Sequence, residues 1–187
     1  KASLDQVIIK TITDESAQEA ALQSGEISVM RITNPTKLEK YKKDDNYTVY
    51  NIPEGRLNYM AYNYQSPNMK DIKARKAIAL ALNVDEIITG AYGSEELALP
   101  AKNFCAPQNL YYNDEMEGYK QDIEEAKKLA KETGLTEKTL HYIYNQNRPN
   151  MKETAQVVQQ QLKEIGGDAA ATWFYDEAKT TGIKEVV

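Results

Sequence analysis

The sequence predicts an α/β fold, a mixed α+β sheet with flanking helices, on three observations. Runs rich in β-branched and aromatic residues recur at 6–13, 27–32, 47–52, 57–64 and 139–145. Between them lie segments with apolar residues at three- and four-residue spacing, each behind an Asp, Asn or Pro start. The chain is 41% hydrophobic, enough for a real core, and 27% charged, enough to solvate its surface. Its 187 residues are a one-domain length that allows two small subdomains.

Taken in order, QVIIKTIT at 6–13 is a predicted strand. Asp14 or Ser16 then caps a short helix whose Ala17, Ala20 and Ala21 share a face, and Gly25 stops it in the left-handed position. Residues 27–32 form a second predicted strand, and Pro35 opens a charged helix ending near Lys43. YTVYNI at 47–52 and the run 57–64 are further predicted strands, separated by Pro53 and Gly55. Asp71 caps a helix carrying Ala74, Ala77, Ile78, Ala81 and Leu82, with Lys73 and Lys76 off that stripe. Asp85 lies in the first turn of the next helix, which Gly90 is expected to end. Residues 97–108 are proline-broken and read as a surface loop. The run 122–133 is amphipathic, with Ile123, Ala126, Leu129 and Ala130 inward, Glu124 expected to pair with Lys128, and Gly134 as its stop. TLHYIYN at 139–145 is a strand, and a helix starting near Asn150 carries Ala155, Val158, Leu162 and Ile165.

The run 57–64 is the best physical hint of a binding surface. Alternation puts Leu57, Tyr59, Ala61 and Asn63 on one face and Asn58, Met60, Tyr62 and Tyr64 on the other. Polar groups on both faces of a central strand are costly unless one face lines a polar cavity. Thirteen Tyr stand against two Phe and one Trp, and Tyr pairs a flat apolar face with a hydrogen-bonding tip, which suits a wet groove.

Composition also excludes function classes. The net charge is −5, whereas nucleic acid and anionic membranes demand clustered Lys and Arg. No apolar run approaches the roughly 18 residues that span a bilayer. Cys105 is the only cysteine, so no internal disulfide forms; His141 is the only histidine, so no conventional zinc site forms. Cys105 sits in a proline-flanked loop without a neighbouring base, no phosphate loop is present, and the adjacent acid pairs read as solvated faces. No catalytic residue, cofactor or metal site follows. The chain begins at Lys1 with neither an initiator Met nor a charged-then-apolar leader, and is read as a piece of a longer protein.

The stretch LNYMAYNYQSPNMKDIKARKAIALALNVDEIITGAYGSEELALP, with Asn63, Pro67, Asp71, Arg75, Ala77, Ala81, Asp85, Ile88 and Pro100, resembles the family 5 extracellular solute-binding proteins. ALQSGEIS, DIEEAKKLAKET and QQQLKEIG extend the resemblance over residues 4–166. These are the oligopeptide-, dipeptide- and nickel-binding receptors of bacterial ABC importers. The resemblance implies a periplasmic-binding-protein-like type II fold, here a fragment of a two-lobed trap that closes over a ligand by a hinge. It implies that residues 1–48 belong to the first lobe and hinge-side sheet, and 49–166 to the second-lobe core. Residues 167–187 look like a return segment, with a middle section missing near Gly166-Gly167.

The implied partners are a short peptide and the importer's permease subunits, and the implied state is a monomer outside the cytoplasm, periplasmic or lipid-anchored at the cell surface. Usage rich in Lys, Asn and Tyr and poor in Arg leans toward the lipoprotein. Peptides would bind as an added β-like strand. Tyr59, Asn63, Asn145, Asn147 and Arg148 are the implied ligand contacts, Arg148 toward a peptide carboxylate. The strand that carries the family's acid for a peptide amino terminus is not recognisable, and Asp176 is a poor substitute. The alternative is a structural or engineered fragment with no ligand of its own; a third reading, a hydrolase using Cys105 or His141, has no supporting constellation.

Overall fold

A computed structural model describes residues 3–52, 54–145, 148–166 and 170–175. The chain divides into two units, Lys1–Thr33 and Asn34–Val187.

The first unit is built on α1 (Glu15–Gln23). The Asp14 side chain accepts from the Ala17 N–H at 2.8 Å, and Glu15 in the first turn suits the positive end of the helix dipole. Gly25, at φ +77°, turns the chain out, and the Ile27 N–H returns to the Ala21 carbonyl at 3.1 Å. The Gln18 amide donates to the Ile12 carbonyl at 2.6 Å, and Lys10 pairs with Glu26 at 3.0 Å, so both flanking runs are tied near the helix.

The second unit starts with α2 (Pro35–Lys42), capped by Asn34, with Leu38 and Tyr41 buried. A 3₁₀ turn (Pro67–Met69) leads into α3 (Ile72–Ala81), whose first turn is capped by Asp71 accepting from Lys73 N–H at 2.8 Å. Then come α4 (Val84–Tyr92), α5 (Ile123–Glu132), β1 (Leu140–Asn145), α6 (Met151–Gly166) and β2 (Ala170–Tyr175). β1 and β2 pair in parallel from Leu140↔Ala170 to Asn145↔Tyr175, with α6 as the crossover that a parallel pair requires.

The core lies among α3, α5 and α6. Ala74, Ala77 and Ala81 on α3 and Ala126 and Ala130 on α5 are each at most 1% exposed, so small side chains let the two helices approach closely. Ile78, Leu129, Leu135, Val158, Leu162 and Ile165 fill the remaining volume. On the rim, Lys73 and Glu132 join α3 to α5 at 2.9 Å; their hydrogen bond, and then their charges, raise the Lys73 pKa and lower that of Glu132.

Four predicted strands are corrected. The runs 6–13, 27–32, 47–52 and 57–64 form no ladder; among the described residues the sheet has two strands. β-propensity belongs to a residue, but a strand belongs to a pair, and these runs have no neighbouring strand among the described residues. Gly90 does not end α4: it lies inside the helix, and a Cβ there would come within 2.7 Å of Val157 Cγ2, so it is the site where α4 meets α6. Gly93, at φ +68°, is the stop. Glu124 pairs with Lys127 at 3.4 Å and Glu125 with Lys128 at 3.1 Å, both three residues apart, in place of the expected Glu124–Lys128 pair.

Gln161 is a buried polar side chain, 3% exposed, and it locks the α3–α4 junction. Its Oε1 accepts from the Asn83 N–H at 3.1 Å, and its Nε2 donates to the Asn83 carbonyl at 3.3 Å and to Glu86 Oε2 at 2.9 Å. Gln161→Leu keeps the volume but strands these groups. We expect it to lower stability by about 2 kcal/mol in urea unfolding, with an unchanged m value.

Candidate functional site

The segment 57–64 keeps the alternation of a strand without a ladder. Met60 and Tyr62 pack on the helical core, Asn58 Nδ2 donates to the Tyr92 hydroxyl, and the Tyr64 ring lies against Arg75. The opposite face is turned out: Tyr59, Ala61 and Asn63 are exposed, Tyr59 by 69%. Neither Tyr59 nor Asn63 is sealed beneath a helix.

Tyr59 meets Phe104 across the chain, with ring centroids 5.6 Å apart and planes tilted by 59°. Phe104 stands in the loop that follows α4. That loop is held by side chains: Asn103 Oδ1 accepts from Cys105 N–H at 2.7 Å, Asn103 Nδ2 donates to the Asn113 carbonyl at 3.1 Å, and Lys102 reaches the Asp114 carbonyl at 3.3 Å. Asn63 opens the turn before Pro67. Its Oδ1 accepts from the Gln65 N–H at 3.0 Å and its carbonyl from the Ser66 N–H at 3.1 Å. The carboxamide NH₂ is therefore the end that can meet another molecule.

Asn145 closes β1 and is half-buried, and its carbonyl accepts from the Arg148 N–H at 3.2 Å. Arg148 is exposed, and Asn150 adopts φ +64° just before α6. Asn147 lies outside the described residues, as does Asp176. The contact residues expected from the sequence thus fall in two local groups: Tyr59 with Asn63 on one face of one segment, and Asn145 with Arg148 in the turn beyond the carboxyl end of a parallel strand. Ligands of open α/β sheets bind at such carboxyl ends.

Sequence reasoning missed Phe104, whose only signal was a bulky ring in a loop, and the part played by Arg75. It picked Arg75 as a motif position, whereas the structure shows its guanidinium bridging both sides of the Pro67 turn: Nη1 donates to the Met69 and Lys70 carbonyls at 2.7 and 2.9 Å.

Tyr62 is the most perturbed hydroxyl of this region. It donates to the Arg75 carbonyl at 3.4 Å, and burial pushes its pKa up to about 12, against the opposing charge of Arg75. Tyr142 on β1 is raised by burial as well. A raised folded pKa means that the unfolded chain ionises first. Stability is therefore whole below pH 10 and falls as pH rises toward 12. Because part of the ring stays wet, we expect a loss of about 1–2 kcal/mol across that window, and Tyr62→Phe should flatten it in pH-dependent urea titrations.

Among the described residues no group of three His, Cys, Asp or Glu side chains could hold a metal ion. No described helix is long and apolar enough to cross a membrane. Aromatic faces, amides and a guanidinium offer recognition chemistry.

A family model for the bacterial extracellular solute-binding proteins, family 5 Middle, matches residues 1–174. The chain belongs to this family. The match runs through Gly166, and β2 lies just beyond it. The dipeptide-binding protein of Escherichia coli K12 is 31% identical over 175 residues, covering 90% of this chain and 32% of its own length. Among solved structures, the ABC transporter substrate binding protein CtaP from Listeria monocytogenes is 39% identical with a TM-score of 0.77, covering 87% of this chain and 33% of that one. The periplasmic binding protein DppA from Helicobacter pylori, solved with the peptide STSA, is 26% identical with a TM-score of 0.69, covering 89% and 32%. The chain thus spans about a third of the length of these relatives. The fold class is the type II periplasmic-binding-protein fold, of which this chain is a part.

Proposed function

We propose that the full-length protein captures short peptides for an ABC importer and passes them to its permease, with no catalysis. The observation that carries this reading is the outward face of 57–64. Tyr59 and Asn63 are exposed on one side of a segment whose other side is anchored to the helical core. An exposed ring and an amide at strand spacing suit a peptide laid alongside as an extra strand, with water filling what the side chains leave. The dipeptide-binding and peptide-bound relatives support the same ligand class. Asn145, Asn147 and Arg148 would approach the ligand from the β1–α6 turn, Arg148 toward a carboxylate.

In this reading residues 49–166 supply the core of one lobe and 1–48 part of the other. The protein works outside the cytoplasm as a monomer, periplasmic or lipid-anchored. The test is thermal unfolding of the full-length protein with di- and tripeptides. A binding peptide at a hundred times its Kd adds about 2.7 kcal/mol, which raises Tm by about 2 °C in a chain roughly three times this length. No shift with any peptide, beside a shift with nickel, would move the proposal to another solute.

A further inference from the structure

We propose that Arg75 is the positioning residue of the ligand face; the proposal rests on the peptide-capture reading above. Arg75 is half-buried on α3, and its side chain holds three points on two sides of the Pro67 turn. Before the turn, its guanidinium carbon lies 4.4 Å from the centroid of the Tyr64 ring, and its own carbonyl accepts from the Tyr62 hydroxyl at 3.4 Å. After the turn, Nη1 donates to the Met69 and Lys70 carbonyls at 2.7 and 2.9 Å.

Asn63 stands between half-buried Tyr62, whose hydroxyl meets the backbone carbonyl of residue 75, and Tyr64, which is 61% exposed and lies against the Arg75 guanidinium. Tyr64 is the second residue of the turn that Asn63 opens, so a guanidinium that lies on its ring and reaches the Met69 and Lys70 carbonyls fixes that turn, and with it the direction of Asn63. No ladder does this job, because 57–64 pairs with no strand among the described residues. One planar guanidinium can lie on a ring and reach two carbonyls together; a lysine ammonium on a flexible stem cannot. Arg75 itself touches no ligand in this scheme. It sets the direction of a residue that does.

The experiment measures peptide Kd by calorimetry on the full-length protein, for wild type, Arg75→Ala, Arg75→Lys, Asn63→Ala and the double variant Arg75→Ala/Asn63→Ala, with Tm recorded for each. We expect Arg75→Ala to weaken binding about tenfold, with Arg75→Lys restoring Tm more fully than affinity, and Arg75→Ala to add less than about threefold once Asn63 is gone. A role in stability alone would give the same factor in both backgrounds. Equal factors, or Arg75→Ala and Arg75→Lys both within about twofold of wild type, overturn the inference. If Arg75→Ala does not fold, Arg75→Lys with and without Asn63→Ala carries the same comparison. A wild-type protein that binds no peptide takes down the capture reading and this inference together; wild-type binding with unaffected Arg75 variants removes the inference alone.

Discussion

Tyr59→Ala in the full-length protein should raise the Kd for a bound short peptide roughly thirtyfold, about 2 kcal/mol. The ring is 69% exposed, backed by Phe104, and carried by a segment whose neighbours Asn58 and Met60 are tied down. A rigid aromatic face spends little conformational entropy on binding, which is why such rings dominate recognition surfaces. Removing an exposed ring should leave the ligand-free Tm within a degree or two, while the peptide-induced shift collapses. Tyr59→Phe keeps the face and should hold Kd within about threefold. Unchanged affinity in Tyr59→Ala would place the ligand elsewhere.

Ile78→Ala should have the largest effect on stability, about 3 kcal/mol in urea unfolding. Ile78 is 4% exposed on the face of α3 that meets the core, beside alanines that cannot expand into the space left. The cavity therefore persists, and the cavity term adds to the lost transfer free energy. Lys76→Ala, two residues back on the solvated side of α3, is the internal control and should change stability by less than about 0.5 kcal/mol. Equal effects at the two positions would mean that α3 does not pack as described.

The helices were legible because their signals are local. Asp14, Asp71 and Asp122 each accept an N–H within three residues, and Pro35 occupies a first turn, all visible at fixed short spacing. The buried stripes of α3, α5 and α6 were legible for the same reason, since 3.6-residue periodicity needs no knowledge of the partner. At the candidate site, the alternation at 57–64 was readable too. Which of its faces meets the core was not, because that depends on Arg75, Tyr92 and the helical core, none adjacent in sequence. Phe104 was out of reach for the same reason: it is 45 residues from the ring it touches, in a loop with no periodicity.

The sequence by itself determined where the helices begin, which of their faces are apolar, and the family resemblance that the match over residues 1–174 then established. Tertiary structure alone decided which β-rich runs become strands, since a ladder needs a second backbone and the described ladder joins two segments separated by α6. It also decided that Gly90 serves a helix crossing and Gly93 the stop. Both residues look alike in a sequence, but only one faces Val157 at a distance that excludes a side chain.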